Sequence, residues 1–153
     1  MLLSLHAVAR WCHLHKVPFV PSAIKMFVFV VFRCILYPEA SIGEGTEFRR
    51  RGWCTGVFPG AVIGRDCIIY NQVEIAHGNL DLDMRDMEAN PVAIVIGDRV
   101  SILPGAKILC KSGTLTIGDD SIIGANTVVL SDVPPNSLVM GIPGRSMPKP
   151  VLL

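Results

Sequence analysis

The chain has 153 residues, half of them apolar and 18% charged, with a formal net charge of +1 at pH 7. This is enough for one ordinary domain with a buried core, and it is not the composition of a disordered segment. A balance so close to neutrality excludes the basic footprint of a nucleic-acid binder and gives no steering field for charged partners.

Residues 1–38 read as an N-terminal helical segment. Apolar residues recur at helical spacing, first Leu5, Val8, Ala9 and Cys12, then Ile24, Phe27, Val28 and Val31. Pro18 and Pro21 divide the stretch into two helices, with Ser22 placed to cap the second. The apolar run Met26 to Phe32 is bracketed by Lys25 and Arg33. It is short of the roughly 20 residues a bilayer span needs, and no small-residue cleavage site follows it. The expectation is a helix buried against the domain or a partner, with peripheral membrane association as the alternative. The five cysteines, Cys12, Cys34, Cys54, Cys67 and Cys110, form no CxxC pair. They predict small packing residues in a reduced, cytoplasmic compartment.

From residue 39 to 147 the period becomes six. Large apolar residues stand at Ile42 and Phe48, at Val57, Ile63, Ile69 and Ile75, at Ile96, Ile102 and Ile108, and at Ile117, Ile123 and Val129. A small or β-branched residue follows four places after many of these, as at Thr46, Ala61, Cys67, Val73, Ala106 and Thr127. Each hexapeptide makes one short strand and one turn, so three make a triangular coil and stacked coils share one apolar column. A doubly wound α/β fold would need helical crossovers of a dozen or more residues, for which there is no room. The fold class expected is all-β, a parallel β-helix with a short helical preface, and residues 148–153 form a tail. Three breaks interrupt the period: Arg49 to Gly56, a loop spanning residues 77–95, and Lys111 to Thr116. Loops on such a scaffold tend to carry function.

The end of the chain, IGDDSIIGANTVVLSDVPPNSLVMGIPGR, resembles the last coils and closing strand of the hexapeptide-repeat acyltransferases. The stretch RCILYPEASIGEGTEF is similar to the start of serine-acetyltransferase-like proteins of surface-polysaccharide synthesis. The resemblance implies a left-handed coil, a homotrimer, and acetyl-CoA bound between neighbouring subunits. It also implies acetyl transfer to a hydroxyl, which needs a base for the acceptor proton and no metal.

His77 directly follows VEIA and opens the longest loop, HGNLDLDMRDMEAN, before PVAIVIG. That arrangement is similar to sugar acetyltransferases of the galactoside and maltose type, and it makes His77 the general base. By the same resemblance Glu88, late in the loop, binds acceptor or orients the imidazole. Asn71, Glu74 and Asp81 border the acceptor, while Gly105, Ala125 and Arg145 match the coenzyme site. Glu74 and Asp81 are the substitutes if His77 is not the base. Arg49 to Arg51 read as a solvated basic loop, with an anionic acceptor or coenzyme phosphates as the alternative. Departures from serine acetyltransferases point away from free serine: Tyr70 and Asn71 stand where a histidine is expected, and Phe58-Pro59 replaces the family's His-Pro pair. The expected acceptor is therefore a sugar or polysaccharide precursor, with serine acetylation or a non-catalytic trimeric scaffold as alternatives. A zinc enzyme on this scaffold would need several histidines where the repeats hold one.

Overall fold

A computed structural model of the protein describes residues 1–78 and 93–149. Two helices, α1 (Leu2–Leu14) and α2 (Val20–Phe32), precede fifteen short strands. The strands form the three walls of a triangular coil. The first wall holds β1 (Ile35–Leu36), β4 (Gly56–Val57), β7 (Glu74–His77), β10 (Lys107–Cys110) and β13 (Val128–Val129). The second holds β2 (Ser41–Ile42), β5 (Ala61–Ile63), β8 (Ala93–Ile96) and β11 (Thr114–Ile117). The third holds β3 (Glu47–Phe48), β6 (Ile68–Ile69), β9 (Ser101–Ile102), β12 (Ile122–Ile123) and β14 (Ser137–Met140), closed by β15 (Arg145–Pro148). Every pairing is parallel except that of β14 with β15.

The register turns the six-residue period into columns. Leu36, Val57, Ile75, Ile108 and Val129 stack in the first wall. Ile42, Ile63, Ile96 and Ile117 stack in the second, and Phe48, Ile69, Ile102, Ile123 and Val139 in the third. The small residues four places on, from Thr46 to Val133, are buried beside the corners. The glycine after a column residue is there for space: a methyl on Gly64 would stand 2.5 Å from the Gly97 carbonyl oxygen of the next coil.

The helices differ in detail from the sequence expectation. The inward stripe of α1 is Leu2, His6, Ala9 and Cys12, which leaves Val8 exposed. In α2 only Val28 and Phe32 are buried, while Phe27 and Val31 face outward. A helix apolar all round carries no angular signal for which stripe packs. Phe19 precedes α2, and Pro21 occupies its first turn, where a missing N–H is harmless, so Ser22 is not the cap. Arg10 ties α1 to the first coil by donating to the carbonyls of Glu39 and Ala40, both at 2.9 Å. No helix among the described residues is long and apolar enough to cross a membrane. Of the cysteines, four are buried as packing residues, whereas Cys54 is exposed in the first break of the repeat.

Candidate active site

His77 is the last residue of β7, held in register between strands by its pairing with Cys110 of β10. Alternation along β7 points Ile75 into the column, and the chain then leaves the wall at His77. The side chain is half-buried, yet both ring nitrogens are shielded from solvent and neither has a hydrogen-bond partner among the described residues. Burial lowers the imidazole pKa below its ordinary value of 6.5, while the nearby Pro59 carbonyl, outside hydrogen-bonding geometry, pulls in the opposite direction. The ring is thus neutral near pH 7, the form in which a histidine accepts a proton.

Glu74 opens the same strand on the outward side. Its carboxylate lies 3.5 Å from the Lys107 ammonium, which also donates to the Gln72 carbonyl at 3.0 Å. Asn71 tops the turn before β7, and its carbonyl accepts from the Gly105 N–H at 3.1 Å. One coil further on, the Asn126 N–H donates to the Pro104 carbonyl at 3.0 Å. Asn71, Gly105 and Ala125 therefore stand in one corner column. Gly105 has φ +77°, and a side chain there would run into the Asn126 amide, so turn stacking by itself requires glycine. Ala125 is exposed at the surface of its turn. Arg145 opens β15 opposite Met140, also exposed. The preceding Gly144 N–H donates to the Val128 carbonyl at 2.7 Å, which places this segment beside the last coil of the column.

Within the chain the structure brings Asn71, Gly105 and Ala125 together but leaves His77 at the opposite end of the same wall. The turn residues precede β7 and β10, whereas His77 and Cys110 end them. Asp81 and Glu88 lie outside the described residues. Among the described residues, no group of three or more His, Cys, Asp or Glu side chains could hold a metal ion.

The sequence reading assigned no role to Trp53 or Gln72. The structure sets them with Arg50, Cys54 and Asn71 around a cavity of about 400 Å³. The only signal was the set of extra residues between Phe48 and Val57, which breaks the period without showing what it faces.

No protein-family model matches the chain. It is 34% identical over 149 residues to a serine acetyltransferase of Mycobacterium tuberculosis, a match covering 95% of this chain and 60% of that protein. It is 31% identical over 147 residues to a serine acetyltransferase of Helicobacter pylori, covering 96% of this chain and 80% of that one. Among solved structures, soybean serine acetyltransferase complexed with serine aligns at a TM-score of 0.81 and 30% identity, over 95% of this chain and 56% of that one. The chain thus spans less than two-thirds of the mycobacterial and soybean proteins and most of the Helicobacter one. The same three-walled coil, and a relative matched over 80% of its length, show that the chain belongs to the hexapeptide-repeat acyltransferase family, with that family's left-handed parallel β-helix.

Proposed function

We propose that the protein is an acetyl-CoA-dependent O-acetyltransferase whose acceptor is serine or a closely similar hydroxy amino acid, with His77 as general base. The observation that carries the reading is the His77 ring at the end of β7, with neither nitrogen committed to a hydrogen bond among the described residues. In the reaction, the acceptor oxygen attacks the thioester carbonyl as its proton passes to a His77 ring nitrogen. The tetrahedral oxyanion collapses, the carbon–sulfur bond breaks, and the imidazolium returns the proton to the departing thiolate. The products are an ester and free coenzyme A.

The acceptor follows the relatives. The sequence expectation was a sugar, but the similar proteins carry serine acetyltransferase as their name, and one was solved complexed with serine. A sugar hydroxyl is the second reading, resting on the place of His77 at a strand end before a long loop. Gly105, Ala125 and Arg145 are the proposed coenzyme contacts, the first two lining the corner and Arg145 meeting a phosphate. Asp81 and Glu88 remain proposed acceptor-side residues.

A homotrimer with coenzyme sites between subunits belongs to the same proposal. Two findings support it: His77 and the corner column occupy opposite ends of one wall, so a groove formed by two subunits can be bounded by both. The outward face of α2, with Met26, Phe27, Val30 and Val31 exposed, is an apolar patch of the kind an interface between subunits covers. A cytoplasmic location is likewise proposed, since the four buried free thiols fit a reducing compartment.

Thiol release from acetyl-CoA, measured with serine and with a panel of sugars, tests the reading. The expected result is release with serine well above hydrolysis. Release with a sugar alone would favour the second reading, and a protein that neither binds acetyl-CoA nor releases thiol would be a scaffold.

A further inference from the structure

The break between Phe48 and Gly56 takes no part in the chemistry described so far, yet its backbone is unusual. Arg50, Arg51 and Cys54 have φ of 52°, 61° and 55°, and Arg33, whose carbonyl accepts from the Cys54 N–H, has φ of 53°. Ordinary corners of the coil use one such residue each, as at Asp66, Gln72, Arg99, Asp120 and Asn126, whereas this break places Arg50, Arg51 and Gly52 in succession. Among the described residues, the side chains of Arg33, Arg50 and Arg51 make no ion pair or hydrogen bond, whereas their neighbour Arg49 pairs with Glu47 at 3.0 Å. Arg50 forms a common wall of three adjoining cavities, of about 650, 320 and 400 Å³.

The third of these has the composition of a small-molecule site. It joins a free guanidinium, the indole of Trp53, and the amides of Asn71 and Gln72, whose side chains are also without partners among the described residues. The Gln72 N–H donates to the Trp53 carbonyl at 2.9 Å, which anchors the break to the foot of the corner column. By the register of β7 against β10, Gln72 lies directly below Gly105 and Asn71 below Pro104, with the Asn71 carbonyl accepting from the Gly105 N–H. A donor lying along Ala125 and Gly105 would end over this cavity.

We propose that the cavity is the acceptor's carboxylate subsite, with Arg50 clamping the carboxylate through two parallel N–H bonds and Trp53 covering the apolar side of the bound molecule. The proposal rests on the serine reading above. A guanidinium suits the task because its planar fork matches a carboxylate edge to edge. A coenzyme phosphate would use the same chemistry, so the test separates the two.

The chain has two tryptophans, and Trp11 stacks on His15 away from the break, so Trp11→Phe leaves Trp53 as the only indole reporter. In that background the Trp53 fluorescence is titrated with L-serine, L-serinamide and coenzyme A. The expected result is a serine response, with serinamide at least about tenfold weaker, because a hydrogen bond to a charged group is lost. Arg50→Gln should weaken serine about 10–100-fold and leave coenzyme A unchanged. Arg50→Lys should fall between, since it keeps the charge and loses the fork. Arg65→Gln, in an exposed pair with Glu44 at 3.4 Å, should match the parent. No serine response, equal binding of the amide, or an Arg50→Gln variant that is folded by circular dichroism and weakened only toward coenzyme A would overturn the subsite. Serine binding that depends on Arg50, without acetylation of serine, would sink the transferase reading and leave the subsite standing.

Discussion

The Gly105 N–H donates to the Asn71 carbonyl at 3.1 Å, so a residue assigned to the coenzyme and one assigned to the acceptor are consecutive steps of a single corner. On the proposed reading, a donor laid along that corner would reach its acceptor at the lower end. The same bond makes the corner sensitive to small changes in turn geometry.

Gly105→Ala should therefore destabilise the fold by about 1–3 kcal/mol, because φ of +77° is unfavourable for alanine and the new methyl meets the Asn126 amide. Adding Asn126→Gly removes the contact but not the backbone strain, so the double variant should recover only part of the loss. Urea midpoints of the three proteins measure this directly. An unchanged midpoint for Gly105→Ala would mean that the corner is looser than described.

Ile75 is fully buried between Val57 and Ile108 in the first wall. Ile75→Ala should cost about 2–5 kcal/mol, the sum of lost transfer energy and the cavity left behind. Equilibrium denaturation is the measurement. A loss under about 1 kcal/mol would contradict a continuous column, since a collapsed or hydrated centre tolerates truncation.

Two histidines make the fold sensitive to acid. His6, hydrogen-bonded through Nε2 to the Tyr37 carbonyl at 3.1 Å, and His77 both have pKa values lowered, chiefly by burial. In the unfolded chain both rings titrate near 6.5, so just below that pH the unfolded state binds more protons. Stability from these groups is fully present above pH 6.5 and declines as pH falls through it toward the folded values. Asp120, held low by its bonds to Arg99, acts in a separate and more acidic window. Denaturant midpoints at pH 7.5 and 5.5 should show the decline, and His6→Gln should reduce it. Equal midpoints in the unmodified protein would show that neither ring is held neutral.

The solenoid was legible because one physical signal repeats. Each large residue from Val57 to Val129 in the six-residue series is buried, and the small residues between them fill the corners. Periodicity of that kind reports the side of a strand, and in a three-walled coil all inward sides share one core. The helices were less legible, because Phe27 and Val28 have equal claims to a core that only Val28 reaches. The cavity at Arg50 and Trp53 is legible only in part: the Arg49 to Arg51 run offers an anionic acceptor as an alternative, but the sequence does not show what it faces. It is assembled from residues on successive coils and from left-handed backbone at non-glycine positions, and neither leaves a pattern in the chain. His77 reads from the sequence as the one histidine of the repeats, ahead of a long loop, but its separation from the corner column along the wall follows only from the register of β7 against β10.

The most direct test of the account is the pH–rate profile of acetyl transfer to serine by the unmodified protein and by His77→Ala. The unmodified rate should rise as the imidazole loses its proton and level off at a pH below that of an ordinary histidine, because burial holds its pKa under 6.5. His77→Ala should be slower by about 10²–10⁴-fold, lose the step, and keep its affinity for acetyl-CoA. A His77→Ala protein with near-normal turnover and the same step in its profile would place the base elsewhere and contradict the account.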